Sequence, residues 1–232
     1  ELLQFAKDVN AGKYDNRTNA VVSLEADLDL TGVEWTPIGC TNDEGDVEHY
    51  FSGKFYGNGH SISNIDYASM YGKEDIGGLF GFLGGGAEIS GLTLKGNIDD
   101  AGEGYVFLGT LAGYTDGAKI SDCISEVVFN NHDKYINGTF GLCGYAENTV
   151  IEYCQNKGNI TITNDVSSFY VGGIAGMVMG TSEIRYCSNS GDIKSYAPQT
   201  GGIAGQISGT AKIINCCSTG KLTPLGKGIT DM

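Results

Sequence analysis

The sequence predicts an all-β fold, a single-stranded right-handed parallel β-helix (solenoid) with a short N-terminal capping helix. Three observations predict this fold: a repeat of about thirty residues, short apolar segments at fixed places in each repeat, and abundant glycine. Glycine accounts for 37 of the 232 residues, about twice its average share of roughly 7%. There are only 3 prolines and no Gly-X-Y period, which excludes collagen. Many tight turns would explain the glycine content.

The first repeated segment is a stretch of small and apolar residues, such as Gly-Gly-Leu-Phe-Gly at 77–81. Its five copies end, 29 to 32 residues apart, at Gly81, Gly113, Gly144, Gly176 and Gly205. Short apolar segments bounded by turn residues are typical of strands. A propeller blade needs about forty residues, so this shorter period favours a solenoid, in which equivalent strands of successive coils stack.

The second repeated segment is an isoleucine followed, three positions later, by another apolar residue. We predict that these residues form two inward-facing rows with one residue per coil, which gives six coils. The first row is Ile62, Ile89, Ile120, Ile151, Ile184 and Ile213. The second row is Ile65, Leu92, Cys123, Cys154, Cys187 and Cys216.

The N-terminal residues 1–12 follow a helical pattern instead. Leu2, Phe5, Ala6 and Val9 fall on one helical face, and Gly12 is a typical C-terminal stop. We predict that this helix caps the open end of the solenoid, where strand edges and core side chains would otherwise be exposed. The first coils are expected over 13–65 and the remaining coils over 66–232, as one continuous domain of a longer chain.

The segment at 51–65, FSGKFYGNGHSISNI, is the most distinctive motif. It resembles the opening motif F-x-G-x-F-D-G-N-G-H-T-I-x-N-L of the GLUG-repeat family, with Tyr56 in place of aspartate. The family is named for a Gly-Leu-x-Gly core, which is similar to 78–81 here. Residues 26–30 and 35–39 resemble its A-D-I-D-L and W-T-P-I-G elements, and Cys143 stands where alanine is common.

The resemblance implies a bacterial cell-surface or secreted protein, often large and multidomain, with adhesin-like or protease-associated regions. It implies no activity for this segment. We therefore expect an extracellular or cell-surface location, and additional domains in the same chain.

Charge and hydropathy limit the partners. Lys and Arg number 14 and Asp and Glu 28, so the formal net charge is −14, which disfavours nucleic acid. No apolar stretch approaches the 18 or so residues that span a bilayer, so we expect no direct membrane insertion. Expected partners are a glycan or a protein of a host or cell surface. Tyrosines in or beside predicted turns could bind such partners or pack loops: Tyr50, Tyr67, Tyr71, Tyr105, Tyr114 and Tyr170.

Two groups of carboxylates could carry chemistry. The densest, which could hold calcium, is Asp43, Glu44, Asp46 and Glu48. Its spacing lacks the alternation of a calcium loop, so we expect a solvated acidic loop and no metal. Asp27 and Asp29 point the same way in a strand and could act as an acid–base pair. We expect their side chains to face a turn or the solvent instead.

The seven cysteines lack the C-x-x-C spacing of zinc sites. We expect the four in the second row to act as small buried apolar side chains. A disulfide between cysteines of neighbouring rungs is the alternative. No G-x-S-x-G segment or phosphate-binding glycine loop occurs, and His60 is expected to bond within its turn.

The sequence therefore predicts a module with no catalytic residues and no cofactor, acting as a rigid spacer or an adhesin-like binding face. Two alternatives remain. One is a carbohydrate-active β-helix, a polysaccharide lyase or glycoside hydrolase with carboxylates in a groove on one sheet. The other is an accessory domain of a secreted peptidase.

Overall fold

Three parallel β-sheets wrap around one apolar core to form a β-solenoid of about six turns, which confirms the predicted fold class. The computed structural model describes residues 1–41, 47–66, 76–99, 107–132, 138–163 and 169–225. Strands are numbered along the chain.

The first sheet takes one three-residue strand from each coil. Its strands pair in parallel in the order β1 (Val21–Ser23), β5 (Lys54–Tyr56), β9 (Glu88–Ser90), β12 (Lys119–Ser121), β15 (Val150–Glu152), β20 (Glu183–Arg185) and β25 (Lys212–Ile214). The middle residue of each strand from β5 to β20 is buried and its neighbours are less buried or face outward, as expected when side chains alternate between two faces.

The second sheet follows the first after a tight turn. Its strands are β2 (Leu28–Asp29), β6 (Ser61–Ser63), β10 (Thr93–Asp99), β13 (Ile124–Asn131), β16 (Gln155–Asn156), β17 (Ile160–Ile162), β21 (Ser188–Asn189), β22 (Ile193–Ser195), β26 (Cys217–Ser218) and β27 (Leu222–Pro224). The long strand β13 pairs with both β16 and β17, because later coils split this strand in two at a glycine turn.

The third sheet carries the Gly-rich repeated segments. Its strands are β7 (Ile76–Gly77), β8 (Phe80–Leu83), β11 (Phe107–Asp116), β14 (Gly138–Glu147), β18 (Phe169–Gly172), β19 (Ala175–Met179), β23 (Gln199–Gly201) and β24 (Ala204–Ile207). A separate antiparallel pair consists of β3 (Cys40–Thr41) and β4 (Val47–His49).

The helix α1 spans Leu2–Asn10, within the predicted range of 1–12. Phe5, Ala6 and Val9 are buried and belong to the same core cluster as the strands. The ring of Phe5 packs edge-on against Phe51, with centroids 5.3 Å apart. Gly12, predicted to stop the helix, has φ +74°, a conformation that favours glycine.

The register of the first sheet defines one row of isoleucines, which is buried from Ile89 to Ile184 and 37% exposed at Ile213 in the last strand. Ile89, Ile120, Ile151, Ile184 and Ile213 pair in succession. The prediction that Ile62 begins this row is wrong. Phe55 pairs with Ile89, whereas Ile62 lies in the second sheet and pairs with Leu28 and Leu94.

The second row needs a similar correction. Each of its members from Leu92 onward directly precedes a paired position of the second sheet: Thr93, Ile124, Gln155, Ser188 and Cys217. Thr93 pairs with Ser61, so the counterpart of Leu92 in the preceding coil is His60. The prediction for Ile65 is therefore wrong: Ile65 is buried beyond the end of β6.

A buried asparagine ladder supports the turn that splits the second sheet. The Asn156 side-chain amide donates to Asn189 Oδ1 (2.7 Å) and to the Gly158 carbonyl (2.9 Å). Asn189 repeats this one coil later by donating to the Gly191 carbonyl (3.0 Å). Because both amides are almost fully buried, their hydrogen bonds to each other offset the cost of removing them from water.

Candidate functional site

The aspartates considered for acid–base chemistry are engaged in turn hydrogen bonds. Asp27 Oδ1 accepts from the backbone N–H of Ser61 at 2.7 Å, and this bond lowers the pKa of Asp27. Asp29 Oδ1 accepts from the side-chain amide of Asn64 (3.0 Å) and from Thr31, and these bonds lower its pKa. A general acid needs a raised pKa to hold its proton at neutral pH, so neither residue is suited to that role.

The calcium candidates Asp43, Glu44 and Asp46 lie outside the described residues. The fourth, Glu48, is an exposed residue of β4. Within the described ranges, no three His, Cys, Asp or Glu side chains are grouped as metal ligands.

All seven cysteines are free thiols, and the second-row cysteines stack along the core. The backbone N–H of Cys154 donates to Cys187 Sγ at 3.4 Å, and that of Cys187 donates to Cys216 Sγ at the same distance. Burial raises the pKa of the Cys154 thiol well above its ordinary value, and that of Cys143 to about 12. The thiolate is the reactive form, so the Cys143 and Cys154 thiols are unsuited to redox chemistry.

We expect brief alkylation of the native protein with iodoacetamide to modify Cys217 first, because Cys217 is exposed. The buried Cys123, Cys143 and Cys154 should react only after unfolding. Peptide mass spectrometry after a short pulse measures each site, and Cys217→Ser provides the control by removing the fast product. Rapid modification of Cys154 in folded protein would contradict its burial.

The three histidines lie apart. His60 Nδ1 is 3.4 Å from Asp27 Oδ1 of the preceding coil, so this side chain contacts an adjacent coil and not its own turn as expected. His132 Nδ1 is 2.7 Å from Thr163 Oγ1. His49 Nδ1 is 2.9 Å from Asp15 Oδ2, which links β4 to the segment after the helix. The histidines thus connect neighbouring segments rather than share one site.

The tyrosines singled out from the sequence lie mainly against other rings. Tyr50 packs edge-on against Phe82, with centroids 5.7 Å apart. Tyr114 contacts Tyr145 at 4.9 Å and donates to Glu147 Oε2 at 2.9 Å. Tyr170 is only partly exposed. Tyr67, Tyr71 and Tyr105 lie outside the described residues.

The outward face of the first sheet carries charges that pair between rungs. Glu152 is 8% exposed and contacts Lys119 Nζ at 2.7 Å and Arg185 Nη2 at 2.8 Å. Lys54 Nζ similarly contacts Glu88 at 3.0 Å. Hydrogen bonds from Lys119 and Arg185 lower the pKa of Glu152, so the face is held by matched ion pairs.

The Glu152 network predicts a pH-dependent stability. A carboxylate whose pKa is lower in the folded state stabilises the fold fully above its unfolded pKa, near 4.5, and loses that contribution as pH falls through the folded value. We expect the melting temperature of Glu152→Gln to fall less steeply than that of wild type between about pH 5 and pH 2.

Glu126→Gln is the matched control, because Glu126 pairs with Lys157 at 3.2 Å in an exposed position where solvent screens the pair. Its melting profile should follow that of wild type. If the melting temperatures of Glu152→Gln and wild type fall in parallel with pH, Glu152 does not contribute to the pH dependence of stability.

A left-handed turn follows each of the later strands of the first sheet. The residue directly after the strand has positive φ in five successive coils: Gly91, Asp122, Tyr153, Tyr186 and Asn215. From Asp122 to Tyr186, its backbone N–H donates to the last carbonyl of the next first-sheet strand, at 3.0 to 3.1 Å. Glycine, asparagine and aspartate adopt this conformation readily, but a bulky side chain there is an outlier.

Tyr153 and Tyr186 therefore form an unusual pair on this edge. Their φ values are both +55°, and their rings are parallel within 7° with centroids 5.1 Å apart. The side chains remain 51% and 47% exposed. Two stacked aromatic rings thus stand on the solvent side of the turn.

Sequence reasoning missed this pair, although a signal was present. The repeat places Tyr153 and Tyr186 directly before the second-row cysteines, in Glu-Tyr-Cys and Arg-Tyr-Cys. The equivalent residues of the adjacent coils, Asp122 and Asn215, are types that favour left-handed turns. Two tyrosines at a repeat position otherwise occupied by turn-forming residues therefore indicated an unusual turn.

Comparison with known proteins supports the repeat assignment. The family described as the GLUG motif matches residues 167–194, which agrees with the predicted resemblance. No curated protein matches the sequence significantly. No helix in the described ranges combines the length and hydropathy needed to cross a membrane.

Two solved structures share the fold. A Bacteroides ovatus protein described as a candidate immunoglobulin A1 protease superposes with a TM-score of 0.66 at 17% identity, covering 92% of this chain and 65% of that one. A protein named IgA1 protease gives a TM-score of 0.54 at 20% identity, covering 97% of this chain. The chain spans 65% and 20% of their lengths, respectively.

Proposed function

We propose that this chain is a non-catalytic, extracellular module of a larger bacterial surface or secreted protein, and that it presents a binding face on a rigid solenoid. One observation carries the proposal: carboxylates on the outer surface of the coils bond to neighbouring rungs. Glu152 binds Lys119 and Arg185, and Asp27 binds the Ser61 backbone. Carboxylates held in this way link successive coils, and their lowered pKa values do not suit a general acid, which must keep its proton at neutral pH.

The solved structures favour an accessory role. Both similar proteins are longer than this chain, and both carry the name of an immunoglobulin A1 protease. In a protein of that kind, this module would position or recruit a target while another domain supplies the chemistry. A secreted or surface location accords with that role.

The carbohydrate-active alternative requires carboxylates that converge around a groove. A cleft between α1 and the first coil is lined mainly by apolar residues, including Leu2, Phe5 and Leu24, with Glu1 and Glu25 as its carboxylates. A cleft of that composition suits packing or binding an apolar group better than it suits acid–base catalysis.

A turnover assay tests the proposal. The purified chain is incubated with a panel of polysaccharides, including pectin, and with immunoglobulin A1; reducing ends, unsaturated products and peptide fragments are measured. We expect no turnover by the chain alone, while a pectate lyase and an active immunoglobulin A1 protease serve as positive controls. Turnover that co-purifies with the chain and is abolished by Asp27→Asn would establish an enzyme instead.

A further inference from the structure

The stacked tyrosines differ from the other large apolar side chains that are exposed in the described ranges. Those others belong to α1 or to the first or last strands of the sheets: Leu3, Val21, Ile207, Ile213 and Leu222. Strands at an end lack a neighbouring rung, which explains their exposure. Tyr153 and Tyr186 follow β15 and β20, which have a paired strand on each side, so no missing rung accounts for their exposure.

The stacking leaves one face of each ring uncovered by the other ring. The rings cover each other on one side, so their opposite faces point away from the pair, toward the rungs of Asp122 and Asn215. At the equivalent position those rungs carry shorter, exposed polar side chains. The rungs on the outer sides of the pair therefore supply a carboxylate at Asp122 and an amide at Asn215.

We propose that Tyr153 and Tyr186 form a binding platform for neutral pyranose glycans. The C–H face of a sugar ring is apolar and can lie flat on an aromatic face, while its hydroxyls donate to Asp122 or exchange hydrogen bonds with Asn215. Binding sites generally combine such an apolar surface with a few polar groups that fix orientation. This inference rests on the proposed function and names its ligand class.

Charge selects neutral rather than acidic sugars. The chain has a net charge of −14, and Arg185, the cation that precedes Tyr186, is paired with Glu152 at 2.8 Å. Arg185 is therefore not free to pair with the anionic group of a uronate or a sulfated sugar. The Asp122 carboxylate would repel that group. A proline-rich peptide normally enters a groove between aromatic rings, whereas these two rings are in contact and leave no groove.

Amide chemical shifts measured during titration test the platform. Isotope-labelled protein is titrated with neutral oligomers of glucose, mannose, galactose and N-acetylglucosamine, and separately with oligogalacturonate and with decaproline. We expect at least one neutral oligomer to shift the amides of residues 122, 153, 186 and 215. Tyr153→Asn/Tyr186→Asn should weaken that binding at least about tenfold.

This double variant keeps the fold, because asparagine already occupies the same left-handed position at Asn215. An unchanged melting temperature verifies that point. Tyr153→Phe/Tyr186→Phe retains the stacked rings and should bind within about threefold of wild type. Gln155→Ala, an exposed neighbour outside the stack, is the matched control and should bind as wild type does.

Three results would overturn the platform: no neutral oligomer shifts these amides, the asparagine variant binds as tightly as wild type, or only oligogalacturonate or decaproline binds. A melting temperature that falls in the asparagine variant without any glycan binding would assign the rings a purely structural role. Turnover of a polysaccharide or of immunoglobulin A1 would overturn the non-catalytic function. Glycan binding by the tyrosine pair could still be measured in that case, so failure of the proposed function is distinguishable from failure of the platform.

Discussion

Replacing Ile151 by aspartate should unfold the solenoid. Ile151 is fully buried and lies between Ile120 and Ile184 in the first-sheet row, so the new carboxylate would have neither water nor a partner. A buried unpaired charge is among the most destabilising single changes, and we expect a loss of at least about 4 kcal/mol in the free energy of unfolding. Urea denaturation followed by circular dichroism measures it.

The adjacent residue provides the matched control. Val150 lies on the outward face of the same strand and pairs with Lys119 on one side and Glu183 on the other. An aspartate there would remain hydrated, and solvent would screen both its attraction to Lys119 and its repulsion from Glu183, so Val150→Asp should change the free energy of unfolding by less than about 1 kcal/mol. Equal stability of Ile151→Asp and Val150→Asp would contradict the assignment of the two faces.

Adding one methyl group at Gly191 should be nearly as damaging. A Cβ at Gly191 would collide with the carbonyl oxygen of Gly158 in the preceding rung, and Gly158 and Gly220 stand in the same relation to Val127 and Gly191. The obstacle is backbone held in sheet register, which cannot move aside as a flexible side chain can. We expect Gly191→Ala to lower the free energy of unfolding by roughly 3 kcal/mol.

Gly85→Ala is the control for this prediction, because the nearest atom to a Cβ at Gly85 is 4.0 Å away. That variant should be neutral or slightly stabilising, since alanine reduces the freedom of the unfolded chain. The midpoint of urea unfolding separates the two cases. A Gly191→Ala midpoint equal to that of Gly85→Ala would mean that the rungs are not packed as closely as described.

The sequence was sufficient to predict the solenoid because equivalent strands must present the same buried residue in every coil. The Ile row from Ile89 to Ile213 therefore appeared directly as a spacing. Prediction failed at Ile62 and Ile65, where the turn between Tyr56 and Ser61 contains two more residues than the turn between Ser90 and Thr93. Ile62 consequently lies in the second sheet, and Ile65 lies beyond the end of β6.

Outward-facing residues were harder to predict, because spacing indicates a face but not the contacts made there. The pairing of Glu152 with Lys119 and Arg185 depends on three different coils, whose relative register the sequence alone does not specify. The same limitation concealed the stack of Tyr153 on Tyr186. Their backbone conformation, which makes the pair unusual, is visible only in the structure.

The rung register determines both the Ile row and the exposed tyrosine pair, and it can be measured by nuclear magnetic resonance. Isoleucine methyl groups can be labelled selectively, and nuclear Overhauser contacts between them report neighbouring rungs, which lie about 4.8 Å apart. We predict sequential contacts along Ile89, Ile120, Ile151 and Ile184, with Ile62 contacting Leu94 when leucine is labelled as well. Contacts between Ile62 and Ile89 in place of these, or no contact between Ile120 and Ile151, would contradict the account.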